Sequence, residues 1–109
     1  MNIVIIGQGN VAINLDYAFR KKGVACQMVS SREGLDQLPS ANVYIYAVKD
    51  EALAAVVAQV RGKERAMHLH TSGSMPISVF GDDKPHAGVF YYTDLSLYNS
   101  SSYSIIILY

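Results

Sequence analysis

Apolar and polar positions along the chain change period several times, and each change predicts a new element. Residues Asn2 to Ile6 form a short apolar run rich in Ile and Val, closed by Gly7. Such a run predicts a strand buried on both faces, as in a parallel sheet. From Asn10 to Lys22 the apolar positions Val11, Leu15, Ala18 and Phe19 recur three or four apart. Asp16, Arg20, Lys21 and Lys22 fall mostly on the other side. That is the pattern of an amphipathic helix, with basic residues suited to its C-terminal dipole and Gly23 to its C-cap.

Val24 to Val29 predicts a second strand, and Arg32 to Leu38 a short helix broken by Pro39-Ser40. The β-branched and aromatic run Asn42 to Val48 predicts a third strand. A second amphipathic helix follows, capped by Asp50, with Leu53, Val56, Val57 and Val60 on one face and an end near Gly62. Met67 to His70 predicts a fourth strand, Pro76 to Phe80 one helical turn, and Ala87 to Tyr91 a fifth strand. Strands alternating with helices imply an α/β fold: a Rossmann-like parallel sheet of about five strands in the order 2-1-3-4-5, with helices on both faces. The winding direction reverses beside strand one, so a ligand is expected at that strand's C-terminal end.

Residues 1–91 thus read as one domain. The tail from Tyr92 to Tyr109 is different: it carries one charge, Asp94, and is dominated by Ser, Tyr and aliphatic residues. Ile105 to Leu108 is expected either to add an edge strand or to be disordered and prone to stick.

Composition narrows the function classes. With 109 residues, half of them hydrophobic, the chain can bury a core. A formal net charge of +0 and 17% charged residues offer no basic surface for nucleic acid. The three His and one Cys show neither H-x-x-x-H nor C-x-x-C spacing, so no metal site is expected. Cys26 reads as a small buried hydrophobe, and its lack of a partner suits a reducing cytoplasm. No secretory signal pattern opens the chain and no apolar run is long enough to cross a bilayer, so a soluble cytoplasmic protein is expected. Neither a G-x-S-x-G elbow, a Walker lysine nor a paired-carboxylate site supports a hydrolase or kinase.

The chemistry concentrates after the strands. Gly7-Gln8-Gly9-Asn10-Val11-Ala12 is a G-x-G-x-x-A pattern placed between a predicted strand and a predicted helix. Gly7 permits the tight turn, Gly9 lets a diphosphate approach the backbone, and Ala12 lets helix and sheet pack closely. The free N–H groups of the first helical turn and the helix dipole favour phosphate. Strand two ends in Ser30-Ser31-Arg32, where enzymes using NAD usually place an acid. Two hydroxyls and a guanidinium suit a 2′-phosphate, so NADP is expected over NAD. Glu33 is expected to start a helix pointing away. Ala47, Val48 and Lys49 should lie beside the glycine loop, with Lys49 near a phosphate or substrate carboxylate, or simply solvated. Asp50 reads as a helix cap rather than an acid catalyst.

His68-Leu69-His70-Thr71-Ser72-Gly73-Ser74 leaves strand four at the same sheet edge. Ser72 or Ser74 is a candidate contact for cofactor or substrate, and His70, less so His86, a candidate proton donor. An ordinary turn after a strand with two same-face histidines explains the same residues.

GQGNVA, VSSRE, YIYAVKDEAL, HLHTSGSMP and HAGVFY, in this order and spacing, resemble a bacterial family of Rossmann-like NADP-binding oxidoreductases over Met1 to about Tyr91. That family is similar to pyrroline-5-carboxylate reductase and, more distantly, to the 6-phosphogluconate dehydrogenase superfamily. The resemblance implies an NADP domain followed by a helical domain that supplies dimer contacts and much of the substrate pocket. It implies cofactor contacts for Gly7, Gly9, Asn10, Val11, Ser31, Arg32, Val48 and Lys49, and no assigned catalytic residue. Relatives continue after Tyr91 with Pro and a Gln-Thr-Phe-Ser type segment. Here Tyr92, Thr93 and Asp94 follow, so a shifted reading frame or abnormal truncation is expected, with self-association through uncovered surface. The expected function is an NADP-dependent oxidoreductase acting on a small C=O or C=N substrate, or its cofactor domain alone. The alternative is a non-catalytic NADP(H)-binding or redox-sensing module.

Overall fold

The computed structural model describes residues 1–94 and 103–108, with side chains through residue 90. Strands β1 (Asn2–Ile6), β2 (Ala25–Val29), β3 (Val43–Tyr46), β4 (Met67–His70) and β5 (Ala87–Asp94) form a parallel sheet in the order 2-1-3-4-5. Helix α1 (Asn10–Lys21) joins β1 to β2, and α2 (Asp50–Gln59) joins β3 to β4. Short 3-10 turns at Leu35–Gln37 and Ile77–Phe80 occupy the other two crossovers. β6 (Tyr103–Leu108) pairs antiparallel with β5 at the edge of the sheet.

The sheet separates two apolar clusters because successive side chains on a strand point to opposite faces. Ile3, Ile5, Ile45, Leu69 and Phe90 pack with Ala12, Leu15 and Phe19 of α1 on one face. Val4, Ile6, Tyr44 and Tyr46 pack with Leu53, Val56 and Val57 of α2, and with Leu35 and Phe80, on the other. β1 and β3 are buried on both faces, which is why they read as unbroken apolar runs. Among the described residues no helix is long and apolar enough to cross a membrane.

Three local expectations are corrected. Val11 is not part of the buried stripe of α1: it is 46% exposed, and Ala12 takes the core position. The small side chain at Ala12 lets helix and sheet approach. The expected helix over Arg32 to Leu38 is a single 3-10 turn after Gly34, so Glu33 lies outside it. Cys26 is half-buried, and its thiol meets an Asp16 carboxylate oxygen at 3.2 Å. Burial, aided by that carboxylate, pushes the thiol up to about 11. The end of α1 behaves as its sequence suggests. Val24 N–H donates to the Phe19 carbonyl at 2.9 Å and Gly23 N–H to that of Arg20 at 3.0 Å, a Schellman closure around Lys22.

Candidate functional site

Ile6 is level with Val29 on one side and with Tyr46 on the other, and Tyr46 is level with His70. The carboxyl edge of the sheet therefore presents Ser30, Gly7, Ala47 and Thr71 side by side, at about 5 Å per strand. Gly7 N–H donates to the Val29 carbonyl at 3.0 Å and Ala47 N–H to the Ile6 carbonyl at 2.9 Å. These bonds extend the ladder one step past β1 and fix the loop before the chain enters α1.

The two glycines of that loop have different reasons to be glycine. Gly7 has φ +132°, and a Cβ there would land on the Ala47 carbonyl oxygen. Its identity is required by the fold alone. Gly9 has φ −84° and ψ −168°, open to any residue, and a Cβ there would meet nothing within 4 Å. Nothing among the described residues demands glycine at this position. The space over Gly9 is empty, and the position is the N-cap of α1 without any side-chain capping bond. No acidic residue stands in the first turn, so the amides there meet no competing carboxylate from the helix itself.

An open cleft of about 590 Å³ lies over this edge, a size typical of small-molecule sites. Of the residues singled out in the sequence, Gly7, Gln8, Gly9, Ser30, Ser31, Arg32, Ala47, Val48 and Lys49 line it. Ser30 Oγ accepts the Arg32 N–H at 3.0 Å, a turn that brings the guanidinium-bearing residue round to the cleft. Arg32 and Lys49 are in no ion pair among the described residues. Asn10, Val11 and Ala12 lie just behind the loop in the first turn of α1, with Ala12 fully buried. Ser72 lies outside the cleft, at the exit of β4.

The cleft also takes in Glu51, Ala52 and Val56 from α2. Sequence reasoning placed Val56 in the core and gave Glu51 and Ala52 no role. The available signal was topological: α2 begins immediately after the loop that neighbours β1, so its first turns must flank any ligand there.

Asp50 is not the N-cap of α2. That position is Lys49, with no side-chain capping bond, and Asp50 is the first helical residue. Its carboxylate accepts the Ser74 hydroxyl at 2.6 Å. Ser74 and Ser72 hydroxyls are 3.1 Å apart, and Ser74 N–H donates to Ser72 Oγ at 3.3 Å. The two hydroxyls hold the Asp50 carboxyl below the usual carboxylate range.

Both histidines of β4 are fully buried. His68 is saturated: Nε2–H donates to the Lys63 carbonyl at 2.7 Å, so Nδ1 accepts the Tyr46 hydroxyl at 2.9 Å. His70 Nδ1 accepts the Ser72 N–H at 3.1 Å, which puts its proton on Nε2. That buried Nε2 makes no hydrogen bond of full geometry among the described residues, although the backbone of Met75 and Pro76 lies near enough to favour its proton. Burial lowers the pKa of both rings, against smaller opposing contributions from the Lys63 backbone at His68 and from the Pro76 backbone, Asp50 and the Met75 backbone at His70. A neutral His70 turned into the protein is a brace for the following loop, and it is poorly suited to donate a proton.

The overall arrangement is shared with known structures. A proposed NADP oxidoreductase of Bacteroides fragilis superimposes with a TM-score of 0.72 and 29% identity over 97% of this chain and 49% of that one. The fold is Rossmann-like, that of oxidoreductase domains. A proposed 2-dehydropantoate 2-reductase of Enterococcus faecalis shares it, with a TM-score of 0.67 and 16% identity over 85% of this chain and 41% of that one. The chain therefore spans about half the length of the first structure and less of the second. No protein-family model matches the sequence, and no curated protein does. In this Rossmann-like domain the cleft sits outside the carboxyl ends of β2, β1 and β3, where the winding direction reverses.

Proposed function

We propose that the cleft binds NADP(H), and that the chain is the cofactor-binding part of an oxidoreductase reducing a small C=O or C=N compound. The observation that carries this reading is Gly9. The fold accounts for Gly7 but has no use for a glycine two residues later, whereas a diphosphate resting on the loop does. The first-turn amides of Asn10, Val11 and Ala12 supply a positive cradle for it. Ser30, Ser31 and Arg32 on one side suit a 2′-phosphate, and a carboxylate in their place would repel it. Lys49 adds a second cation on the other side. The names of both structural neighbours agree with a nicotinamide cofactor, and the relation to pyrroline-5-carboxylate reductase suggested by the sequence motifs fits the same chemistry. The cofactor supplies the hydride; the protein supplies placement and electrostatics.

Titration with NADPH and NADH tests the reading. The parent chain should prefer NADPH. Arg32→Ala should weaken NADPH binding by about 1–3 kcal/mol, the range for charge-assisted hydrogen bonds, and leave NADH nearly unchanged. Equal losses for both nucleotides would end the NADP assignment. A second reading, a non-catalytic NADP(H) sensor, is favoured by one observation: among the described residues the buried histidine at the cleft edge that lacks a full set of partners, His70, holds its proton on the buried Nε2. Tight NADPH binding with no oxidation of NADPH over a panel of imines and keto acids would support it.

A further inference from the structure

The loop after β4 is built as though its position matters, yet it lies outside the cleft. Two independent clamps hold it. From inside, the neutral His70 ring takes the Ser72 N–H on Nδ1 and stacks on Phe80 with ring centroids 5.6 Å apart. From outside, Ser74 is tied to Asp50 at 2.6 Å, and Ser72 to Ser74 at 3.1 Å. Asp50 stands between Lys49 and Glu51, both of which line the cleft. One carboxylate at the start of α2 thus joins the wall of the cleft to Ser74, four residues beyond the end of β4.

The layout of the sheet says what this junction would do. A diphosphate on the Gly7–Gly9 loop is centred over β1. On the proposed reading the phosphate-bearing adenosine half would lie toward β2, where Ser30, Ser31 and Arg32 line the cleft. The second nucleoside would then lie the other way, over β3 toward the end of β4, two strand spacings or about 10 Å from β1. That is the place of Thr71 to Ser74.

We infer that Asp50 is a positioning residue for the nicotinamide half of the cofactor, acting through Ser74 and Ser72 to hold the β4 loop against that ring, and having no part in binding the adenosine half. The inference rests on the proposed NADP(H) site. A fixed loop lowers the entropy lost when the nicotinamide is gripped. Ser72 reaches the ligand in this scheme, and Asp50 acts only through it. A buried, neutral His70 completes the brace from the opposite side.

Two probes separate the halves: NADPH, and 2′,5′-ADP, which contains only the adenosine end. The full chain is titrated with each, alongside Asp50→Ala, Ser74→Ala and Ser74→Thr, with reduced-nicotinamide fluorescence recorded on every NADPH complex. Asp50→Ala and Ser74→Ala should bind 2′,5′-ADP as the parent does. They should lose roughly fivefold in NADPH affinity, the net effect of one hydrogen bond, together with part of the fluorescence enhancement of the bound ring. Ser74→Thr keeps the hydroxyl and should restore both. Equal weakening of the two probes, or unchanged NADPH binding and fluorescence in Asp50→Ala and Ser74→Ala, overturns the inference while leaving the cofactor site standing. A parent chain that binds neither probe overturns the cofactor reading and this inference together. Should Asp50→Ala fail to fold, the Ser74 pair decides the matter alone.

Discussion

The glycine loop after β1 and the serine loop after β4 leave the same edge of the same sheet, but they are finished to different degrees. The β4 loop is satisfied from within. His70 takes one of its amides, Asp50 takes a hydroxyl, and its two serines bond to each other. The glycine loop is clamped to β2 and β3 on its flanks, yet at its centre it ends in a helix terminus without a cap and an empty space over Gly9. Bonds within the protein therefore account for where the serines of the β4 loop stand, although His70 Nε2 finds no partner among the described residues. An incomplete loop needs something from outside. The contrast shows where a ligand should be sought, and it does so through the residues that the fold leaves unexplained.

Substitution of the two glycines should break this comparison if it is wrong, and it carries the largest expected effect. Gly7→Ala meets both a positive φ and the Ala47 carbonyl, so it should cost about 3 kcal/mol or more and lower the melting temperature sharply. Gly9→Val should leave the melting temperature within the spread of surface substitutions, about 0.5 kcal/mol, and abolish NADPH binding. A Gly9→Val chain that folds and still binds NADPH as firmly as the parent would remove the case for a cradle.

Much of this was legible in the sequence, for identifiable reasons. Strand order followed from alternating periods, because βαβ connections leave few topologies. β4 was bounded correctly, since Met67 to His70 sits between clear breaks. The glycine loop was legible because Gly7 and Gly9 have fixed jobs relative to a strand and a helix. Other features depend on distances that no one-dimensional pattern carries. Val11 and Ala12 are adjacent and both apolar, and helix rotation alone decides which is buried. Asp50 resembled a cap because caps and first-turn acids occupy neighbouring positions; its true partner, Ser74, is 24 residues away. The i, i+2 spacing put His68 and His70 on one face, with only His70 a candidate proton donor, and gave no sign of their different partners. Only the pairing of Tyr46 OH and the Lys63 carbonyl with His68 makes one saturated and the other not.

Those two histidines give the next effect, which sharpens the comparison by acting on the β4 side only. Burial depresses both rings from the ordinary 6.5. The unfolded chain therefore binds protons that the folded chain refuses. Stability should be level above about pH 7.5, fall as pH drops through 6.5, and keep falling until the folded rings themselves protonate. Two such groups set an upper bound of about 2.7 kcal/mol per pH unit on the slope. Urea melts between pH 8 and 5 check this, and His70→Gln should roughly halve the slope. A flat profile over that range would mean that the rings are not buried neutral. Tyr46→Phe is a smaller test of the same region. It leaves His68 Nδ1 buried without its donor and should cost about 1–3 kcal/mol, with no change in NADPH affinity of the folded protein.

The smallest expected effect lies in the cleft and bears on how the glycine loop attracts an anion. Backbone amides supply the attraction there, so a carboxylate on the opposite wall should work against it. Glu51 lines the cleft beside Lys49. It also stands in the first turn of α2, where a negative charge favours the helix dipole. Glu51→Gln should therefore act in two directions at once. NADPH affinity should rise about two- to threefold in low salt, and the gain should vanish as added salt screens exposed charges. Stability should fall by roughly 0.3 kcal/mol, the low end of helix-dipole effects. A side chain retained at a cost to ligand affinity and a gain to the helix is a fold residue in a binding position, the reverse of Gly9. Paired titrations and thermal melts of Glu51→Gln at two salt concentrations distinguish the cases. If affinity falls instead, Glu51 accepts a hydrogen bond from the ligand and belongs with Arg32 among the groups that read it.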